Sequence, residues 1–248
     1  MLAAKGLRGP STSSRTRGRV RVRLGVLTEG VVVVGIRAVV FDWRGTLVTT
    51  LSERAWVEEA LRLVGRARAV EEVLAAIGRA DGVPGRLGAV GVDCGARVHR
   101  EVYFSVFADA GLDGEVAEAL YAVESDPGYN VFAVDVAETL AAVVARGCRV
   151  AVLSDIHFDL RPVFAAAGLG GFVDVFVLSF ERGVQKPDPA IFLAAVAELG
   201  VEPGAALMVG DRASHDGAAV EVGMPTLLVP PLVDPRVRRL GLVSGVVG

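Results

Sequence analysis

The chain holds two cysteines, Cys94 and Cys148, with 53 residues between them and no CxxC pair. Neither a disulfide framework nor a zinc site is indicated, and both read as small apolar residues of a reducing compartment. No segment approaches the ~20 apolar residues of a membrane span, since Val31 to Val34 stop at Gly35 and Arg37. A secretory signal fits poorly because Glu29 and Gly30 interrupt the apolar stretch and no small-residue cleavage pattern follows. A cytoplasmic protein with no membrane partner is expected. Aromatic residues are missing from the first 30 positions, where Lys5, Arg8, Arg15, Arg17, Arg19, Arg21 and Arg23 face only Glu29. That arm carries +6, leaving −9 on the other 218 residues. Without rings to stack on bases and without amphipathic spacing, residues 1–35 read as a solvated, disordered basic extension, not a nucleic-acid binder.

What is present is a core. With 52% apolar and 22% charged residues in 248, the chain is globular and long enough for a second small domain. The run from Val39 to Val48 is its most informative stretch: a β-branched segment ends on Asp42 and passes through Trp43 and Arg44 into a Gly45 turn. An Asp at the carboxyl end of a buried strand lies where ligands of open α/β sheets bind, as nucleophile or metal ligand, although such residues also begin turns.

From Thr50 the pattern becomes helical. Thr50-x-x-Glu53 reads as a capping box, followed by Trp56, Val57, Ala60, Leu61 and Val64 at helical spacing. Further faces are Val70, Val73, Leu74 and Ile77; Val98, Val102 and Val106; and Val116 to Val123, so residues 50–128 form a helical block. Strand and helix then alternate. Asp135-x-x-Glu138 is expected to cap a helix ending at Gly147, and strands fit 149–153, 173–178, 206–209 and 226–229. Helices fit between them at about 161–167, 189–199 and 216–222. Such alternation implies a doubly wound parallel sheet, here 36–49 with 129–248, interrupted by the helical block.

Three later features share the chemistry of Asp42. Ser154 ends the strand Ala151-Val152-Leu153. Lys186 lies in Gln185-Lys186-Pro187-Asp188-Pro189, where two prolines restrict the loop before a helix that Asp188 is expected to cap. Leu207-Met208-Val209-Gly210-Asp211 ends a strand in Gly-Asp, with Asp216 five residues on, and two carboxylates on one short loop repel unless a cation lies between them. Each residue alone also has a bland reading as cap, solvated lysine or turn.

In order, these motifs resemble the haloacid dehalogenase-like hydrolase superfamily over about residues 37–230. The resemblance implies a Rossmann-like α/β core, the helical block as an inserted cap that selects substrate, and Mg2+ as cofactor for a small phosphorylated substrate. Asp42 would be the nucleophile and a metal ligand, Asp211 would hold the metal, and Asp216 would orient the metal shell or Lys186. Lys186 would neutralise charge beside Asp42, Ser154 would bind the phosphoryl group with Asp155 beside it, and Thr46 would cap its turn or contact phosphate. Arg44 departs from the pattern, since phosphatases of the superfamily have a second Asp there as general acid and base. An arginine of pKa above about 12 cannot exchange that proton, though its backbone carbonyl stays available to the metal. Asp42, Asp211 and Asp216 against Mg2+, Lys186 and Arg44 leave about +1 to meet a phosphate.

Three functions follow: a Mg2+-dependent phosphatase, a metal-independent dehalogenase, and a silent phosphate-binding or protein-binding module with Arg44 as an anion clamp. His157 and His215 are alternative proton donors. Trp43 reads as an apolar plug, Trp56 as a core aromatic, and Arg62, Arg66, Arg68, Arg86, Arg97, Asp155 and Arg212 as solvent-facing. Substrate identity and oligomeric state are not legible.

Overall fold

The computed structural model of the protein describes residues 35–66 and 69–247. The expectation of a disordered arm falls, up to residue 34, outside them, as does Arg68. β1 (Ala38–Phe41) is followed by α1 (Glu53–Leu63), α2 (Val70–Asp81), α3 (Ala96–Asp109) and α4 (Gly114–Ser125), and α5 (Val136–Ala145) leads back to the sheet. Then come β2 (Arg149–Ser154), α6 (Arg161–Ala166), β3 (Val175–Leu178), α7 (Ser179–Arg182), α8 (Pro189–Leu199), β4 (Ala206–Gly210), β5 (Thr226–Leu228) and α9 (Gly241–Val246).

The five strands form one parallel sheet in the order β3-β2-β1-β4-β5. Its strands read as unbroken apolar runs because both faces are covered. Val39, Phe41, Val150, Val152, Leu207 and Val209 pack on one side with Leu140 and Val143 of α5. Val40, Ala151, Leu153 and Met208 pack on the other with Ile191, Phe192 and Ala195 of α8. Each fully buried Val or Leu contributes about 1.5–3 kcal/mol. The helices α1 to α4 enclose a separate apolar cluster of Trp56, Val57, Leu61, Val106, Phe107 and Leu120. Among the described residues, no helix is long and apolar enough to cross a membrane.

Several local expectations change. The N-cap of α1 is Ser52, whose hydroxyl accepts from the Ala55 N–H, and Thr50 lies outside the helix. Asp135 sits at the start of α5 but caps nothing, because its Oδ2 accepts from Arg239 N–H at 2.6 Å and Leu240 N–H at 2.8 Å, tying down the chain before α9. In α3 the buried side is His99, Val106 and Phe107, while Val98 faces out. The third strand begins at Val175, since Val173 follows a short 3-10 turn, and Asp216–Val222 is a 3-10 segment in place of an α-helix. Asp188 does cap α8, accepting from Ala190 N–H.

Candidate active site

Strand order reverses between β1 and β4, since β2 and β3 lie to one side of β1 and β4 and β5 to the other. Ligands of doubly wound sheets bind beyond the carboxyl ends of the strands at this point. Register brings the expected residues there. Phe41 pairs with Val152 on one side and Val209 on the other, so Asp42, Ser154 and Asp211 leave three adjacent strands within two residues of a common level. The Asp42 N–H donates to the Val209 carbonyl at 2.9 Å, which extends β1 to the functional residue itself.

Lys186 is buried and donates to Asp42 Oδ1 and to Asp216 Oδ1, each at 2.6 Å. The other oxygen of Asp216 accepts from the backbone N–H groups of Asp211 (3.1 Å) and Arg212 (2.9 Å). Both Asp216 oxygens are therefore taken by the protein, and this carboxylate orients Lys186 and the Asp211 loop. Thr46 donates to Asp211 Oδ1 at 3.4 Å instead of capping its own turn. Asp155 does not face solvent freely: its Oδ1 accepts from the Lys186 N–H at 2.9 Å, bracing the base of that lysine. Ser154 is buried at the end of β2.

Carboxylate oxygens of Asp42, Asp211 and Asp216 all lie within 4.8 Å of one another, and Asp42 Oδ2 is buried with no hydrogen-bond partner. Three carboxylates and one ammonium leave a formal −2, which a divalent cation would cancel. The residues therefore fit Mg2+: hard oxygen donors, an orphaned lone pair and an uncompensated negative charge. Two glycines keep the space open. A Cβ at Gly45, whose φ is +79°, would collide with the Asp211 carboxylate, and one at Gly210 would collide with Asp216. Burial, opposed by Lys186 but reinforced by Asp216 and Asp211, pushes Asp42 up to about 7. Burial and Asp216 also raise Asp211. Burial pulls the Lys186 ammonium down, but Asp42, Asp216 and Asp155 together push it up further, so it stays charged.

Arg44 points neither into this cluster nor into open solvent. Its guanidinium donates to Glu124 Oε1 at 2.5 Å and to the Glu124 carbonyl at 2.8 Å, and packs near the Trp43 and Phe158 rings. It thus joins the loop after β1 to the last turn of α4, and the +1 expected from the sequence loses one charge to Glu124. A cavity of about 500 Å3 runs between Arg44, Trp56, Tyr103, Glu124, Asn130 and Arg212. Asp42 and Lys186 do not line it.

Sequence reasoning missed Glu124, Gln185 and Arg239. Gln185 Oε1 accepts from the Gly91 and Asp93 N–H groups at 2.8 and 3.2 Å, tying the segment before α3 to the Lys186 loop. Arg239 donates to the Gly45 and Thr46 carbonyls, clamping the turn after Asp42. All three act across 80 or more residues, so no local pattern could reveal them. His215 contacts Arg212 and Ser214 on an exposed loop. His157 is buried and stacks on His99 of α3 with centroids 3.5 Å apart. Burial and Arg44 push His157 down to about 4, and burial, His157 and Arg44 push His99 down to about 2.

A family model for haloacid dehalogenase-like hydrolase matches residues 36–223. Bovine (Bos taurus) haloacid dehalogenase-like hydrolase domain-containing protein 3 is 33% identical over 133 residues, 52% of this chain and 53% of that protein. The chain spans about half the length of such curated relatives. The structure of a HAD phosphatase from Thermococcus onnurineus is similar with a TM-score of 0.59 at 25% identity, over 86% of this chain and 98% of that one. A 2-haloacid dehalogenase from Pseudomonas syringae pv. Tomato gives 0.58 at 25% identity, over 85% and 97%. The same backbone thus resembles both a phosphatase and a dehalogenase, and the choice between them rests on the side chains.

Proposed function

The chain belongs to the haloacid dehalogenase-like hydrolase family, and from that premise we propose that it is a Mg2+-dependent phosphatase of small phosphorylated molecules. The observation that carries this reading is the unpartnered Asp42 Oδ2 set among Asp211 and Asp216, a charge arrangement that calls for a divalent cation. A metal-independent dehalogenase has no use for it.

In this reading Asp42 attacks phosphorus, the P–O bond to the leaving group breaks, and an aspartyl-phosphate forms; water then attacks that phosphorus, releasing inorganic phosphate and restoring the carboxylate. Asp42, Asp211 and the Arg44 backbone carbonyl would hold Mg2+, with Asp216 orienting the loop. When bound, the ion supplies Lewis-acid neutralisation of phosphoryl charge. Lys186 holds Asp42 in place and neutralises charge on the transferring group, while Ser154 and Thr46 bind or orient it. Asp155 positions Lys186. Residues 50–128 act as the cap, and the cavity walled by Trp56 and Tyr103 receives the organic part of the substrate.

Arg44 here is a latch to the cap and transfers no proton. General acid-base assistance is worth roughly 10^2 to 10^4 in rate, so turnover favours substrates whose leaving group needs no proton, aryl and acyl phosphates over alkyl ones. The test is hydrolysis of an aryl phosphate with and without Mg2+. Turnover that requires Mg2+ and falls at least about 10^3-fold in Asp42→Asn is expected. Unchanged turnover in that variant, or metal-free turnover of a 2-haloacid, would overturn the reading. A non-catalytic phosphate-binding module is the second reading, favoured by Arg44 at the acid-base position; inorganic phosphate binding without any turnover would select it.

A further inference from the structure

A second group of metal-ligating side chains, sharing no residue with the acidic cluster, lies where the helical block meets the α/β core. Asp93 comes from the turn Val92–Cys94, His99 from the first turns of α3, and His157 from the loop after β2. Asp93 Oδ1 is 3.7 Å from His99 Nε2 and 3.9 Å from His157 Nδ1. One ligand atom from each residue lies within 4.8 Å of the others.

Both rings are 95% or more buried, and their far nitrogens are already engaged: His99 Nδ1 with the Tyr121 hydroxyl at 3.3 Å, His157 Nε2 with the Ser125 hydroxyl at 3.0 Å. Metal-bound histidines characteristically have the second nitrogen fixed this way. The near nitrogen of His157 has no hydrogen-bond partner although it is buried, a cost of about 1–3 kcal/mol for an ordinary core residue. Asp93 is held from behind, its N–H by Gln185 and its carbonyl by the Ser179 hydroxyl at 2.7 Å, so its carboxylate is presented without using its own oxygens for anchoring.

We propose that Asp93, His99 and His157 form a zinc-type site that staples the helical block to the core, independent of the acidic cluster at Asp42. Two imidazoles and one carboxylate suit Zn2+ over Mg2+ or Ca2+. Bonds of about 2.0–2.2 Å in a tetrahedron place ligand atoms roughly 3.3–3.5 Å apart, so the two Asp93–histidine separations of 3.7 and 3.9 Å need to contract by a few tenths of an ångström. A metal lies in the plane of each imidazole that holds it, so loading fans the two rings out of their 15° stack. The fourth position is left to water.

The experiment uses the full chain carrying Asp211→Asn, which removes the acidic cluster's claim on the ion. Zn2+ is titrated against a chromophoric chelator, and Co2+ is substituted as a spectroscopic probe. One Zn2+ per chain is expected, with affinity at least about a hundredfold weaker after adding His157→Gln or Asp93→Asn, and visible Co2+ absorption lost in both. If His157→Gln fails to fold, Asp93→Asn decides alone, because the backbone contacts of Asp93 survive that change. Its circular dichroism should match the parent's while its thermal midpoint stops responding to zinc. Absence of zinc binding in the parent, or equal affinity in a folded Asp93→Asn variant, overturns the site.

Discussion

Lys186 is buried between two carboxylates 2.6 Å away on either side, and its main chain is braced by a third. Removing one partner of such a buried pair leaves uncompensated charge and costs about 3–5 kcal/mol. Lys186→Met is therefore expected to lose that much in urea unfolding as well as the proposed phosphatase activity. A loss below about 1 kcal/mol would mean that these ion pairs do not form in solution. The residue was legible before the structure because two prolines frame it. It is also one of only two lysines, with Lys5, in a chain that otherwise takes its cations from arginine. Arg44 was legible as a departure, but its partner was not, because Glu124 is 80 residues away. Both members of that pair are about a fifth to a quarter exposed, so the pair itself contributes about 0–1 kcal/mol. Glu124→Ala should then barely move stability, yet by freeing a guanidinium beside the site it should lower the inhibition constant of inorganic phosphate several-fold at low salt. An unchanged constant would show that Arg44 cannot reach the anion.

At the scale of elements, the strands were readable because parallel strands buried on both faces are continuous apolar runs. The helices of the insert were readable from their period, but the face of α3 was only partly right, with Val106 buried and Val98 exposed. Val98, Val102 and Val106 are spaced for one side, whereas the helix turns His99 inward to meet His157 and leaves Val98 exposed. Asp135 misled in the same way, since a local cap and a distant anchor have identical sequence signatures. The burial of His157 beside Arg44 has a consequence in metal-free protein. His157 is held at about 4 against 6.5 in the unfolded chain, so between these values the unfolded state binds the extra proton and stability is lost as pH falls from about 6.5 to 4. Burial and Asp155 push the facing Asp93 up to about 6, which opposes the trend, so the informative quantity is the difference between native and His157→Gln. That difference should approach about 1.4 kcal/mol per pH unit within the window. Parallel stability profiles for the two proteins would mean that His157 is solvated.

For the whole molecule, the acidic cluster stores like-charge repulsion at the carboxyl ends of the paired, buried strands β1 and β4. Its formal −2 is tolerable only because Lys186 is fixed there, and Asp42 responds by holding its proton up to about 7. Metal-free protein above that pH therefore keeps a destabilising charge that bound Mg2+ would relieve. At a free concentration 100 times its dissociation constant, Mg2+ adds about 2.7 kcal/mol. For a chain of this size that corresponds to about 5–10 °C in thermal midpoint, measured at pH 8. Asp211→Asn reverses both halves of the effect. Its metal-free midpoint should rise above the native value, because one of three mutually repelling carboxylates is gone, and its response to Mg2+ should disappear, because the remaining donors no longer enclose the ion. A purely structural role for Asp211 predicts the opposite, a lower midpoint with the Mg2+ response intact, since the Thr46 hydroxyl would bond a neutral amide oxygen in place of a carboxylate, without any electrostatic gain. The two signs differ, so one melting series of two proteins with and without Mg2+ decides whether the sheet edge is built around a cation.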